Sequence, residues 1–261
     1  MLLTVDIGNS HTVLGYFEGN SGEDFEISKL IETRRFVTQS IGAEIRSEFS
    51  TTDKIESVVI SSVVPSVTQA IFGAFTGTLN RRDTPVQVID HQWPFSFQIR
   101  TDSPDKTGID RLVNAEAAIR DYGSPCIIVD AGTATTVCAV SGKPEFLGGA
   151  IIPGLKISME ALSQNTAQLF DIELTPPSRA IGRNTTEALQ SGLVLGYASM
   201  IDGMVRRFKS ELGVFELPVI ATGGLSTLFK GTSKELTHFD SDLTLRGIAY
   251  LFEKKLKLAR R

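Results

Sequence analysis

Two stretches of the chain are versions of one another. "VDIGNSHTVLGY", Val5 to Tyr16, and "VDAGTATTVCAV", Val129 to Val140, align without gaps at Val5/Val129, Asp6/Asp130, Gly8/Gly132, Thr12/Thr136 and Val13/Val137. Each continues an apolar run, "LLTV" in the first and "CIIV" in the second. An apolar strand that ends in Asp-x-Gly and leads into a second apolar run predicts a hairpin. Two such units, about half a chain length apart, predict one duplication of a whole domain. The 261 residues allow two domains of ordinary size, divided here as 1–122 and 123–261 at "YGSP".

Periodicity and punctuation fill in the rest. Strands are expected at 2–6, 12–17, 57–64 (ended by Pro65), 85–89, 126–130, 135–140 and 218–224. Helices are expected at 66–80, 108–121, 155–169, 185–212 and 242–259, with a further helix after "ATGGL". "EFLGGAIIPGL" (145–155) predicts a strand, a glycine turn and a helix entry, and "SPDKTGID" (103–110) and "LTPPSRAIGRNT" (174–185) predict loops. Alternating strands and helices make this an α/β protein.

Composition excludes several classes. At 41% hydrophobic and 21% charged the chain is an ordinary globular one, and a net charge of -4 gives no reason to expect nucleic acid or an anionic membrane as partner. The basic end "EKKLKLARR" predicts a solvated helix face. "MLLTVDIG" lacks the basic region of a signal peptide, and no apolar run is long enough to span a membrane, so a cytoplasmic location is expected. The 2 cysteines, Cys126 and Cys138, have no metal-ligand spacing and lie in strand-like runs, which predicts buried thiols in a reducing compartment.

A strand turn of glycines and hydroxyl residues can aim backbone N–H groups at phosphate oxygens. A carboxylate at the strand end repels phosphate, but it can hold a cation that the phosphates share. Doubled hairpins therefore point to a polyphosphate with its metal; an ordinary pair of hairpins with turn aspartates is the plainer alternative. In "ATGGL" (221–225), two glycines either let backbone approach a flat ligand such as adenine or serve a turn that needs positive φ. The chain has no G-x-x-x-x-G-K-[ST] loop, and no G-x-G-x-x-G follows a strand.

Taken together, "DIGNSHTV", "TGIDRLVNA", "DAGTATTV", "LGGAIIPGL", "IGRNTTEALQSG" and "ATGGL" resemble, in order and spacing, the type III pantothenate kinases of the actin/hexokinase/Hsp70-like ATPase superfamily. The resemblance runs from Leu2 to about Leu251. It implies two duplicated ribonuclease-H-like domains with the ATP cleft between them, and a homodimer. It also implies ATP-dependent phosphorylation of pantothenate to 4'-phosphopantothenate, the first step toward coenzyme A, with Mg2+ accompanying ATP and a monovalent cation, K+ or NH4+.

By position, the resemblance makes Asp6, Ile7, Gly8, Asn9, Ser10, His11, Thr12 and Val13 the first ATP loop, with Asp6 near the divalent metal. Thr133 becomes an ATP contact of the second loop, and Asp130 the monovalent-cation ligand. Gly108, Ile109, Asp110 and Arg111 become the substrate segment, with Asp110 the proton acceptor; Thr185 becomes a further substrate contact. Three positions depart from the family pattern. Ile109 replaces an alanine, Ala131 replaces a phenylalanine so that an aromatic wall is lost, and Thr101 replaces a substrate-contacting tyrosine.

Each assignment has a plainer competitor. Thr107-Gly-Ile-Asp110 fits a helix-capping pattern, which is compatible with a catalytic carboxylate. Arg111 suits the substrate carboxylate, the transferred phosphoryl or a surface salt bridge. Asp130 can accept an N–H bond in its turn, and His11 can be incidental. His91 and His238 receive no role. Gly192 and Gly196 permit close helix packing, within the subunit or across a dimer. Other functions consistent with the sequence are a kinase for another small alcohol and an inactive nucleotide-binding regulator, although Asp6, Asp110 and Asp130 are all retained.

Overall fold

The computed structural model describes residues 1–19, 27–41, 55–78 and 85–260. Two compact units share the chain. The first comprises Met1–Ser96, Asp102–Ala117 and Asp242–Arg261; the second comprises Phe97–Thr101 and Ala118–Ser241. They are not two consecutive halves, because the last helix belongs with the first unit and the 122/123 division would leave it with the second.

In the first unit β1 (Leu2–Ile7), β2 (His11–Gly19), β3 (Ile27–Val37), β4 (Ser57–Ser62) and β5 (Val86–Val88) form one sheet in the order β3-β2-β1-β4-β5. The β1–β2 and β2–β3 pairs are antiparallel, while β1–β4 and β4–β5 are parallel. α1 (Pro65–Thr78) opens on a proline, which suits a first helical position where the N–H would have no partner. The predicted end of this helix at 79–80 lies outside the described residues. Alternation along β1 sends Leu3, Val5 and Ile7 into a core with Val58, Ile60, Ile71 and Phe75, so Thr4 and Asp6 take the opposite face.

In the second unit β6 (Gln98–Ile99), β7 (Cys126–Ala131), β8 (Ala134–Val140), β9 (Glu145–Pro153), β10 (Val219–Thr222) and β11 (His238–Phe239) are ordered β11-β10-β7-β8-β9-β6. Without β6 this is the first sheet again: two antiparallel pairs on one side of the central strand, two parallel pairs on the other. The repeated topology is that of duplicated ribonuclease-H-like domains. Ile127, Val129, Ala131, Val219 and Ala221 face the core here, so Ile128, Asp130, Ile220 and Thr222 share the other face.

The hairpin registers correct the ungapped alignment. Ile7 pairs with Thr12 in the first hairpin, and Ala131 with Thr135 in the second. The second turn is one residue shorter, so Thr12 corresponds to Thr135, and both are buried. The matches Thr12/Thr136 and Val13/Val137 are coincidences of an alignment lacking one gap.

α2 (Ile109–Tyr122) and α6 (Leu243–Ala259) occupy their expected positions, and α3 (Leu155–Asn165) stops short of 169. Gly247 lets α6 press on Val113 of α2, and Leu245 of α6 lies against Gly15 of β2. The predicted long helix is α4 (Thr185–Gln190), a π-helical stretch Ser191–Gly196 and α5 (Tyr197–Leu212), stopped by Gly213 at φ +66 with bonds back to Lys209 and Ser210. Two expectations fail. Gly148 and Gly149 do not make a turn: β9 runs through them, and Gly149 is there because a Cβ would collide with Val137 of β8. After "ATGGL" only one 3-10 turn forms, Ser226–Phe229, before Gly231 takes φ +84. Both cysteines are buried, and burial pushes the Cys126 thiol up to about 12.

Candidate active site

The first loop begins at Asp6, next to last in β1 and cross-strand from Val13. The Gly8 N–H donates to His11 O at 3.0 Å, and a Cβ on Gly8 would lie 3.1 Å from that oxygen. Asn9 and Ser10 are exposed at the tip, and His11 and Val13 are half-buried. Ile7 and Thr12 are buried, so what they offer a ligand is backbone. A residue with no sequence signal braces this turn. Thr38 Oγ1 donates to Gly8 O at 2.7 Å and lies 3.2 Å from Thr12 Oγ1, while Thr38 N donates to Ser10 O at 3.0 Å.

The second loop is built on different supports. Asp130 faces Thr136, Gly132 N donates to Ala134 O at 3.2 Å, and Thr133 is exposed. Gly154 packs so closely that its Cβ would collide with the Thr133 carbonyl and lie 2.7 Å from Gly132 O. Its place in "LGGAIIPGL" was the only hint of this. The Tyr197 hydroxyl lies 2.7 Å from both Thr135 Oγ1 and Pro153 O, tying α5 to β8 at the end of the loop and to the neighbouring β9. Burial raises the Tyr197 pKa and the bond to Thr135 opposes it. Ala131 belongs to the core cluster with Leu155 and Tyr197, so its side chain faces the core of the second unit. At Gly223, φ is +87 and a Cβ would collide with Asp130 Oδ1. The glycine approach there is to this chain's own carboxylate, which favours the turn alternative.

The segment expected to meet substrate, Gly108–Arg111, leads into α2. Ile109 is buried in the first unit, and Asp110 sits in the first turn with its Oδ1 2.5 Å from where a Gly108 Cβ would be. Desolvation raises the Asp110 pKa; backbone hydrogen bonding from Arg111, the Arg111 charge and its own N–H pull the other way. Burial wins, as expected for a carboxylate removed from water without a full counter-charge. Arg111 N donates to Gly108 O at 3.1 Å. His91, which the sequence left without a role, lies with Nε2 2.7 Å from Thr107 O. A carbonyl only accepts, so Nε2 donates and holds the residue before Gly108 in place. The loop bearing His91 is anchored by Ser96, which donates from N at 2.7 Å and Oγ at 2.5 Å to the buried Glu116.

Of the remaining candidates, Thr101 and Thr185 lie in the second unit. Thr101 Cγ2 is 3.6 Å from where a Gly148 Cβ would be. Thr185 is the exposed first residue of α4, capped by Asn184, whose Oδ1 accepts from Glu187 N at 2.9 Å while Glu187 Oε2 accepts from Arg183 N at 2.9 Å. The first unit thus carries Asp6–Val13 and Gly108–Arg111; the second carries Thr101, Asp130, Thr133 and Thr185. Among the described residues no group of three or more His, Cys, Asp or Glu forms a metal cluster.

Solved structures share the fold. A conserved Campylobacter jejuni protein assigned to the Baf family of transcriptional activators superposes with a TM-score of 0.61 at 19% identity, covering 97% of this chain and 98% of that one. A 2-dehydro-3-deoxygalactonokinase-type protein of Sinorhizobium meliloti gives 0.56 at 13% identity over 98% and 99%. Both share the fold of this chain over nearly its whole length. The type III pantothenate kinase family model matches residues 2–207. A type III pantothenate kinase of Rubrobacter xylanophilus is 42% identical over 100% of both chains, and one of Exiguobacterium sp. is 40% identical over 98% of this chain and 100% of its own. The chain belongs to the type III pantothenate kinase family. It is an ATP-dependent kinase that phosphorylates pantothenate in coenzyme A biosynthesis, and ATP comes to it with a divalent metal.

Proposed function

We propose that Asp110 accepts the proton of the pantothenate hydroxyl as that oxygen attacks the γ-phosphorus of ATP. The bond from γ-phosphorus to the β,γ-bridging oxygen breaks, ADP leaves and 4'-phosphopantothenate forms. The observation that carries this is the Asp110 carboxylate at the start of α2, desolvated, bonded by backbone N–H and set over a residue with no side chain. Such a group is rigid and more basic than an exposed aspartate. Phosphoryl transfer of this kind needs positioning more than a strong base, so a carboxylate raised by burial suffices.

The remaining roles follow the family pattern. The loop Asp6–Val13 and Thr133 contact ATP, with Asp6 toward the divalent metal. Asp130 holds a monovalent cation, K+ or NH4+, which when bound offsets phosphate charge. Gly108, Ile109, Arg111, Thr185 and Thr101 contact pantothenate, Arg111 through its charge. The chain acts in the cytoplasm as a homodimer. Support for the dimer comes from Gly192 and Gly203, where an added Cβ would meet nothing within 4 Å, and Gly196, where it would meet only Ser191 O at 3.9 Å. Packing within the chain does not require these glycines, whereas a second helix lying on them would. Among the described residues no helix is long and apolar enough to cross a membrane.

An ADP-release assay with pantothenate against a panel of small alcohols tests the reading. Turnover with pantothenate that falls to background in Asp110→Asn is the expected result; equal turnover with several alcohols sinks the substrate assignment.

A further inference from the structure

Among the described residues two buried side-chain polar atoms have no hydrogen-bond partner, Ser61 Oγ and Thr222 Oγ1. Their positions match. Ser61 is the parallel-strand neighbour of Asp6, and Thr222 is the parallel-strand neighbour of Asp130. Each hydroxyl stands at the carboxyl end of the strand beside the central one, in the sheet position where open α/β sheets bind ligands. In-register parallel neighbours point to the same face, so each hydroxyl shares a face with the carboxylate beside it. A buried hydroxyl without a partner costs free energy, and random packing does not leave the same defect at the same place in two sheets.

From this we infer that Thr222 is a second protein donor to the monovalent cation of Asp130, a role that rests on the proposed reading of Asp130. Thr222 Oγ1 has lone pairs for a cation and no protein group using them. The next residue, Gly223, lies against Asp130 Oδ1 with no room for a Cβ, which fixes that carboxylate beside the end of β10. One carboxylate and one hydroxyl, with no cluster of acids among the described residues, suit a weakly held singly charged ion better than a tightly bound divalent one.

The test uses the full chain with Mg2+ and a non-hydrolysable ATP analogue, titrated with KCl at ionic strength held by tetramethylammonium chloride. Thermal melting reads the half-saturating K+ concentration. Thr222→Val keeps the shape and removes the hydroxyl. Without K+ it should melt at or above the wild type, because an unsatisfied hydroxyl has been removed. Its half-saturating K+ should rise about 10–100-fold, the usual cost of losing a supporting group at a metal. Thr222→Ser should restore wild-type behaviour. If Asp130→Asn loses the K+ response and Thr222→Val keeps it, the inference is overturned and the Asp130 reading stands. Should both variants respond like the wild type, the Asp130 reading falls and takes the inference with it. A lower melting temperature for Thr222→Val without K+ also overturns it, since the hydroxyl would then be structural.

Discussion

The two sheets have the same strand order, yet their Asp-Gly turns are held in different ways. The first turn is braced by a threonine beyond the end of β3: Thr38 binds Gly8 O and Ser10 O and meets Thr12. The second is braced by a tyrosine from a helix, Tyr197, and by a glycine, Gly154, pressed against the loop carbonyls. What the duplication kept is the acid at the strand end, the glycine after it, the buried threonine across from the turn and an orphan hydroxyl on the neighbouring strand. What diverged is everything that reaches the turn from a distance. The first unit also gained a second carboxylate, Asp110, outside the sheet. On the proposed reading, proton transfer and divalent metal fall to the first unit and monovalent charge compensation to the second.

The sharpest way to break that division is Asp110→Asn. Loss of the proton acceptor should lower kcat by about 10²–10⁴ with little change in ATP affinity. No potassium concentration should rescue it, whereas Asp130→Asn should show its defect as a changed potassium dependence. The folded pKa of Asp110 is raised, so the stability linked to its neutral form is complete below the usual 3.8 and lost as pH rises through the folded value. Asn has no charge to desolvate and caps a helix almost as well as Asp. The variant should therefore melt at or above the wild type near pH 7, and the difference should vanish in acid. In the wild type, kcat/KM should rise with pH along a limb whose midpoint lies above 3.8. A variant that melts lower yet turns over normally would reduce Asp110 to a helix cap.

Next in size is Asp6→Asn, expected to cost about 10–100-fold in activity at limiting Mg2+. Ser61→Ala should act in the same direction by a smaller factor if the acid–hydroxyl pairing has one purpose in both sheets. A magnesium titration identical to wild type for Asp6→Asn would remove Asp6 from the site; an effect of Ser61→Ala on potassium instead of magnesium would break the proposed division between the units.

These comparisons also show what was legible in the sequence. The strands, the acids and the duplication could be read because they are local: β-rich runs ending in Asp-x-Gly announce themselves in a dozen residues. The hairpin register could not, since a turn shorter by one residue leaves the letters Thr-Thr-Val able to match in two frames. The supports of the site were hidden for a different reason. Thr38, His91 and Tyr197 act through single hydrogen bonds to distant residues, and a lone threonine, histidine or tyrosine carries no pattern. Gly154 and Gly223 were visible as glycines, but only the structure shows that a carbonyl or a carboxylate fills the space a Cβ would need. The last helix was correctly placed along the chain as an amphipathic element, and its return to the first unit rests on Gly247 and Leu245, whose partners are far away in sequence.

The smallest expected effects come from the two braces, and they compare the turns most directly. Thr38→Val removes the donor to Gly8 O and leaves the buried Thr12 hydroxyl without that neighbour. Tyr197→Phe does the equivalent to Thr135 and Pro153. Each leaves buried polar groups short of a partner, at a cost of about 1–3 kcal/mol. The stability losses should therefore be similar, readable as lowered denaturant midpoints without a change in slope. Their functional consequences should differ. Loosening the first turn frees Gly8 and Ser10, so Thr38→Val should raise the KM for Mg–ATP a few-fold while leaving the potassium dependence alone. Loosening the second moves the segment between Asp130 and Thr135, so Tyr197→Phe should shift both. If Thr38→Val also shifts the potassium dependence, the two turns do not act as separate devices. If neither variant loses stability, backbone pairing alone sets the turns, and the divergence of their braces is without consequence.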